Sequence, residues 1–348
     1  MLAKHMVIGG AGFLGSHIVG TLKARGDLTV GVFDLVLPSA SESVEGVEYF
    51  TGDITDEPRL TEILKQFGPV VVYHTASPIH GLSPDVYFRV NEEGTWVVVS
   101  ACRASGIKRI VYTSSTGVVW TGADLAGVKE DNVPVPSKGY DAYHHTKALG
   151  EKIILNVNDV DGMKVVILRP CGMTGERDKQ LMWRVAKLYE DGQHNVQIGD
   201  NTNLVDYLYA GNAAQAHVLA GDCLLEKPET VAGQIFFITN GQPMPQWTFN
   251  RLIFKELGDD GSKKIVIIPR ALALFLAMIT ELACKVTGKK SEFSLFNVRF
   301  ATAIQWYNID KARLLLGYEP KVSLEEGIHR TVEWWKASGA ENQKQSLD

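Results

Sequence analysis

Short runs of apolar, mostly β-branched residues punctuate the first half of the chain, at Met6–Ile8, Leu28–Phe33, Val47–Phe50, Val70–His74, Ile110–Thr113 and Val165–Leu168. Between them lie longer stretches with helical spacing of apolar residues: Phe13–Ala24, Pro58–Gln66, Pro84–Ala104 and Tyr143–Asn156. Strands alternating with helices predict parallel strands joined by right-handed crossovers. Runs without polar alternation predict strands covered on both faces. The fold class expected is therefore α/β, a doubly wound parallel sheet. Beyond Pro170 the pattern is less regular, with turn signals at Gly175, Gly192, Gly199-Asp200 and Pro243–Pro245. We expect residues 1–170 to form the sheet domain, with a return segment near 204–240. Residues 171–348 are then mainly a smaller domain, partly interleaved with the first.

The chain has 348 residues, room for roughly two domains at ~150 residues each. With 45% apolar and 22% charged residues it has an ordinary globular composition. The formal net charge is -5 and no run of Lys and Arg stands out, which argues against nucleic acid as a partner. Cys102, Cys171, Cys223 and Cys284 are far apart and form no disulfide framework. Together with Met6–Ile8, too short for the core of a signal sequence, they predict a reducing, cytoplasmic setting. The nine histidines are scattered and no His-Glu-x-x-His occurs, so no catalytic metal is expected.

After the first strand comes Gly9-Gly10-Ala11-Gly12-Phe13-Leu14-Gly15, running into a helix. Gly9 permits the tight turn, Gly12 lets backbone approach a pyrophosphate, and Gly15 lets the helix pack on the strand. The helix N-terminus offers free amides to the phosphates. Asp34 closes the next strand, about 20 residues past the last glycine, where a carboxylate meets the adenosine ribose hydroxyls. A carboxylate there repels a 2′-phosphate, and no Arg or Lys follows closely to neutralise one. The expected cofactor is NAD rather than NADP, and residues 1–170 become an NAD-binding Rossmann domain.

The helix after the fifth strand opens Tyr143-His144-His145-Thr146-Lys147. Tyr143 and Lys147 are four apart and share a helix face. An ammonium beside a phenol favours the phenolate and lowers its pKa from ~10, giving a general base. Upstream, Tyr112-Thr113-Ser114-Ser115 ends a strand in hydroxyls, at the edge where parallel strands open into the ligand crevice.

With these residues in this order the sequence resembles the extended short-chain dehydrogenase/reductase family, in its 3β-hydroxysteroid dehydrogenase branch. Further signposts are Gly52-Asp53-Ile54, His74-Thr75-Ala76-Ser77-Pro78, Val90–Thr95, Leu168-Arg169-Pro170, and Gln197–Asn201 through Tyr209–Asn212. The resemblance implies that Tyr143 is the acid/base, that Lys147 holds the nicotinamide ribose, and that Ser115 orients the reacting oxygen. It places Asp53 and Ile54 beside the adenine, Ala76 along the cofactor and Pro170 near the nicotinamide. For Asp53 and Asn91, loop and helix capping is the alternative. The implied activity is oxidation of a 3β-hydroxyl on a sterol or triterpenoid, and within the branch on a 4α-carboxysterol with loss of carbon dioxide. The implied location is the cytoplasmic side of the endoplasmic reticulum. Gly175-Glu176-Arg177-Asp178 stands where the sterol branch has Gly-Pro-Gly-Asp, and Met182-Trp183 is bulkier than the Val-Pro usual there, so another terpenoid alcohol stays open as substrate. A sugar-nucleotide epimerase and a non-enzymatic NAD sensor are the remaining readings.

Arg270–Cys284 is apolar nearly all round. Its apolar run is shorter than the ~20 residues a membrane span needs. Such a helix is either a core or homodimer helix, or lies on a membrane surface beside the substrate entrance, with Lys263, Lys264, Lys285, Lys289 and Lys290 flanking it.

Overall fold

The computed structural model describes residues 3–26, 29–288, 291 and 293–339; Leu28, Lys289 and Lys290 lie outside them. The predicted alternation appears as β1 (His5–Ile8), α1 (Phe13–Arg25), β2 (Val30–Asp34), β3 (Val47–Thr51), α2 (Glu57–Phe67), β4 (Val71–His74), α3 (Gly94–Ala104), β5 (Arg109–Thr113), α4 (Ala142–Asn156) and β6 (Lys164–Pro170). A seventh strand, β7 (Gln234–Ile238), pairs with β6 at the sheet edge. The order is β7-β6-β5-β4-β1-β2-β3 and every neighbouring pair is parallel. Between β1 and β4 the chain's direction of travel across the sheet reverses, which opens a crevice at the strands' C-terminal ends.

Successive side chains in β1 serve opposite faces. Met6 and Ile8 join a cluster with Leu60, Phe67, Val99 and Ile154 from α2, α3 and α4. Val7 joins the other face, with Ile18 and Leu22 of α1. There it meets Ala213, Ala216 and Ala220 of the helix Ala210–Glu226, whose small side chains allow close approach to α1. Residues after Pro170 therefore return to complete the sheet and its cover.

The rest of the second half makes its own small cores. Met182 and Val185 from the helix Leu181–Glu190 pack with Phe249, Phe254, Ile328 and Trp335. A further small cluster joins the helices Arg270–Thr287 and Leu295–Thr302 through Ala273, Ala277 and Val298.

Of the readings open for the apolar helix, burial in the core of this chain is ruled out. In Arg270–Thr287 only Ala273 and Ala277 are buried. Leu272, Phe275, Leu276, Met278, Ile279, Leu282 and Val286 are all exposed, Leu282 to 65%. Ala273 and Ala277, with Leu274 at their side, face the protein, and most of the large residues face out. No helix among the described residues is long and apolar enough to cross a membrane.

Candidate active site

The glycine loop is shaped by contacts that leave no room for side chains. Gly9 has φ +85°, and a Cβ there would lie 2.6 Å from the Ala76 amide nitrogen. A Cβ on Gly15 would lie 2.1 Å from the Gly9 carbonyl, which fixes the approach of α1. Gly10 has a role the sequence reading left out: its Cβ would strike Val32 at 2.7 Å. Gly12 caps α1, and a Cβ there would meet only the Gly9 oxygen at 3.2 Å, so its outer side is open to a ligand. The first turn of α1 has neither an acidic residue nor a side-chain cap, which leaves the amides of Phe13 and Leu14 without a side-chain partner. An open anion cradle on a helix N-terminus fits a dinucleotide's diphosphate.

Asp34 Oδ2 accepts the Ala11 amide at 2.9 Å and Oδ1 accepts Leu35 N at 2.7 Å. The carboxylate is thus locked at the loop's edge; burial raises its pKa and the surrounding amides oppose that. One sequence argument needs correcting. Arg177, far away in the chain, donates to the Glu42 carbonyl at 3.0 Å in the loop after β2, and lines a small pocket with Gly10, Ala11 and Pro38. A cation does stand near this region, brought there by the fold and not by the residues that follow Asp34.

Asp53 is committed to structure: Oδ1 accepts Thr55 N and Oγ1 at 2.9 and 2.8 Å, and Oδ2 pairs with Arg89. Ile54 is buried beside Gly94. Ala76 touches the glycine loop, and Pro170 is buried at the end of β6 beside Ile238. Asn91 lies in a π-helical turn, Phe88–Glu93, with its amide between Ser77 Oγ (2.9 Å) and Thr146 Oγ1 (3.0 Å). It ties the loop after β4 to the helix that carries Tyr143.

Asp141 caps α4, accepting His144 N and facing His144 Nδ1, both at 2.8 Å. This sets Tyr143 in the first turn, at the mouth of the crevice. Ser115 accepts the Gly117 amide at 3.1 Å, and its hydroxyl is near enough to Tyr143 to act on the phenol's pKa. The two hydroxyls that sequence order suggested are therefore together.

Lys147 is arranged otherwise than expected. It is 2% exposed, and its Nζ donates to the Thr113 carbonyl at 2.6 Å, 5.2 Å from the Tyr112 ring. Burial lowers its pKa to about 7 against the influence of Glu151. Tyr143 is not lowered: burial, then Asp141 and Tyr87, raise it to about 12, and the nearby Ser115 hydroxyl opposes them. The ammonium is held by β5 instead of facing the phenol.

Two neighbours and an aromatic wall escaped the sequence reading. The His80 ring lies 3.9 Å from the Tyr143 ring, and burial, then the nearby His144, lower its pKa to about 4. Glu151, 3% exposed, accepts Ser114 Oγ at 2.7 Å and Arg169 Nε at 3.0 Å and Nη2 at 2.5 Å. Its signal was available, since Tyr143, Lys147 and Glu151 repeat every fourth residue on one face. His80 had none, because only the folded loop brings it to Tyr143. Beyond His144, Trp120, Tyr140, Phe296 and Phe300 form an aromatic wall with ring centroids 4.5 to 5.9 Å apart.

The departures at Glu176 and Met182 serve packing. Glu176 accepts the Tyr209 hydroxyl at 2.9 Å and its carbonyl meets His17 Nε2 at 2.9 Å. Met182 is fully buried.

This is a dinucleotide cradle beside a Ser/Tyr hydroxyl pair. The family model for the 3-beta hydroxysteroid dehydrogenase/isomerase family matches residues 6–270. The chain is similar to the sterol-4-alpha-carboxylate 3-dehydrogenase, decarboxylating, of Schizosaccharomyces pombe, at 41% identity over 96% of this chain and 98% of that one. The enzyme of the same name from Saccharomyces cerevisiae is 37% identical over 94% and 97%. Among solved structures, an epimerase from Methanothermobacter thermautotrophicus superposes with a TM-score of 0.76 at 22% identity, covering 99% and 95%, a likeness of fold. The cradle, the hydroxyl pair and the match over most of its length place this chain in the 3-beta hydroxysteroid dehydrogenase/isomerase family.

Proposed function

We propose that the protein oxidises the 3β-hydroxyl of a 4α-carboxysterol with NAD and that the product then loses carbon dioxide. The observation that carries this reading is the Ser115–Tyr143 hydroxyl pair, set between the glycine cradle and an aromatic wall suited to an apolar ring system. NAD, when bound, would supply the acceptor for the hydride that leaves the carbinol carbon. Gly9, Gly12, Phe13, Leu14 and Gly15 would hold its diphosphate and Asp34 its adenosine ribose. Ile54 would sit at the adenine, with Asp53 shaping the turn before it, and Ala76 along the cofactor. Tyr143, Lys147 and Pro170 would border the nicotinamide end. Residues 1–170 with the return near 204–240 would carry the dinucleotide, and most of 171–348 the substrate.

Ser115 holds the substrate oxygen and Tyr143 takes its proton. The ketone then lies β to the carboxylate. The bond from the ring to the carboxyl carbon breaks, its electron pair passes into the carbonyl as an enolate, carbon dioxide leaves, and the ring carbon takes a proton. A hydrogen bond from Ser115 or protonated Tyr143 stabilises that enolate. Incubating the protein with NAD and the 4α-carboxysterol should release NADH and carbon dioxide in equal amounts. Turnover only of another terpenoid alcohol or of a sugar nucleotide would refute the substrate.

Asp34→Ala should weaken NAD binding by about 1.5–3 kcal/mol, the range for hydrogen bonds to a charged group, and narrow the gap to NADP. Titrating both dinucleotides into both proteins measures this, and a wild type that prefers NADP refutes it.

The exposed face of Arg270–Thr287 is proposed to rest on a membrane. Its apolar residues adjoin the helix whose Phe296 reaches the catalytic wall, which would let a sterol pass from lipid to site. A few partly inserted side chains, each worth up to ~1.5–3 kcal/mol when fully buried, give reversible attachment. The protein should float with liposomes; a dimer that stays in the aqueous fraction would assign the face to a second copy instead.

A further inference from the structure

A carboxylate entering an aromatic pocket pays a large desolvation cost unless a cation meets it with hydrogen bonds. The cations nearest Tyr143 are already engaged or are neutral. Lys147 is buried and donates to the Thr113 carbonyl. His144 faces Asp141. His80, held at about 4 by burial, is uncharged near neutral pH.

Arg184 is different. It is exposed on the helix Leu181–Glu190, and its guanidinium has no hydrogen bond or ion pair among the described residues. The start of this helix is docked on the loop that carries His80, since the His80 amide donates to Gln180 Oε1 at 3.3 Å. Arg184 follows Gln180 by four residues, and its amide donates to the Gln180 carbonyl at 3.2 Å, so the two share a helix face. The His80 ring in turn packs against Tyr143, centroids 3.9 Å apart and tilted by 46°. The positive charge of Arg184 acts on both His80 and Asp178. Asp178 does not consume it, because its oxygens accept the amides of Gln180, Leu181 and Met182 at 2.8, 3.0 and 3.0 Å.

We infer that Arg184 receives the substrate's carboxylate and so selects acidic sterols over neutral ones; this rests on the carboxysterol reading above. The carboxyl-bearing carbon adjoins the carbinol carbon, so a hydroxyl held at Tyr143 can bring the carboxylate to the His80 side, where the charge of Arg184 is felt. A planar guanidinium matches a carboxylate in two parallel hydrogen bonds. It stabilises the bound acid and not departing carbon dioxide, so its effect falls on KM and not on kcat.

The test uses two substrates, the 3β-hydroxy-4α-carboxysterol and the same sterol without the carboxyl group, each with NAD, and follows NADH. Arg184→Ala should raise KM for the acid about tenfold to a hundredfold, the effect of losing hydrogen bonds to a charged group. It should leave kcat, the neutral sterol and the thermal midpoint unchanged, and Arg184→Lys should recover part of the loss. A wild type that turns over the acid while Arg184→Ala leaves its KM unchanged, or shifts both substrates alike, overturns the inference alone. A wild type that ignores the acid yet oxidises another alcohol overturns the substrate reading, and the inference with it.

Discussion

Tyr143→Phe lowers turnover by about 10²–10⁴-fold, the usual contribution of a positioned acid/base, while fold and NAD affinity persist. Phenylalanine keeps the ring that lies 3.9 Å from His80, 5.3 Å from His144 and 5.8 Å from Tyr87. It removes only the hydroxyl on whose pKa Ser115 acts. With the phenol raised to about 12, its base form is scarce at neutral pH. Oxidation by the wild type should therefore quicken as pH rises, and that rise should vanish in the Phe variant. Initial rates across pH, with NAD binding followed by fluorescence, check both statements. Near-normal rates in Tyr143→Phe would move the base elsewhere, first to Tyr140, whose hydroxyl accepts Arg299 Nη1 at 3.3 Å.

Glu151→Ala should cost about 3–5 kcal/mol of stability, as removal of one partner from a buried ion pair does. Arg169 and Glu151 are almost fully enclosed, at 2% and 4% side-chain exposure. Alanine would leave the guanidinium buried with its charge uncompensated and would release Ser114, next to Ser115. Activity should fall with stability, because the strand end that orients Ser115 loosens. Replacing both partners by apolar residues of similar volume should recover most of the stability. Denaturant unfolding of the single and double variants tests this; a Glu151→Ala midpoint equal to wild type would show that the pair contributes nothing.

The sequence by itself determined the elements that rest on local periodicity and turn chemistry. Six strands, the helices between them, the glycine loop and Asp34 at the end of β2 are all legible, because their signals lie within a few residues of one another. The Tyr143/Lys147 pairing is legible for the same reason, a shared helix face. Tertiary structure decided what depends on distant partners. Lys147 meets the Thr113 carbonyl from β5 and not the phenol, so the expected pKa lowering gives way to burial. His80 reaches Tyr143 only because the Asn91 and Gln180 hydrogen bonds fold its loop inward. Arg177 comes to the loop after β2 from more than a hundred residues away. The helix Arg270–Thr287 shows the limit most plainly. An apolar sequence says that a surface must be covered, but which side meets the protein is set by the shape of the neighbouring helix, and here that contact fully buries only Ala273 and Ala277 and partly covers Leu274.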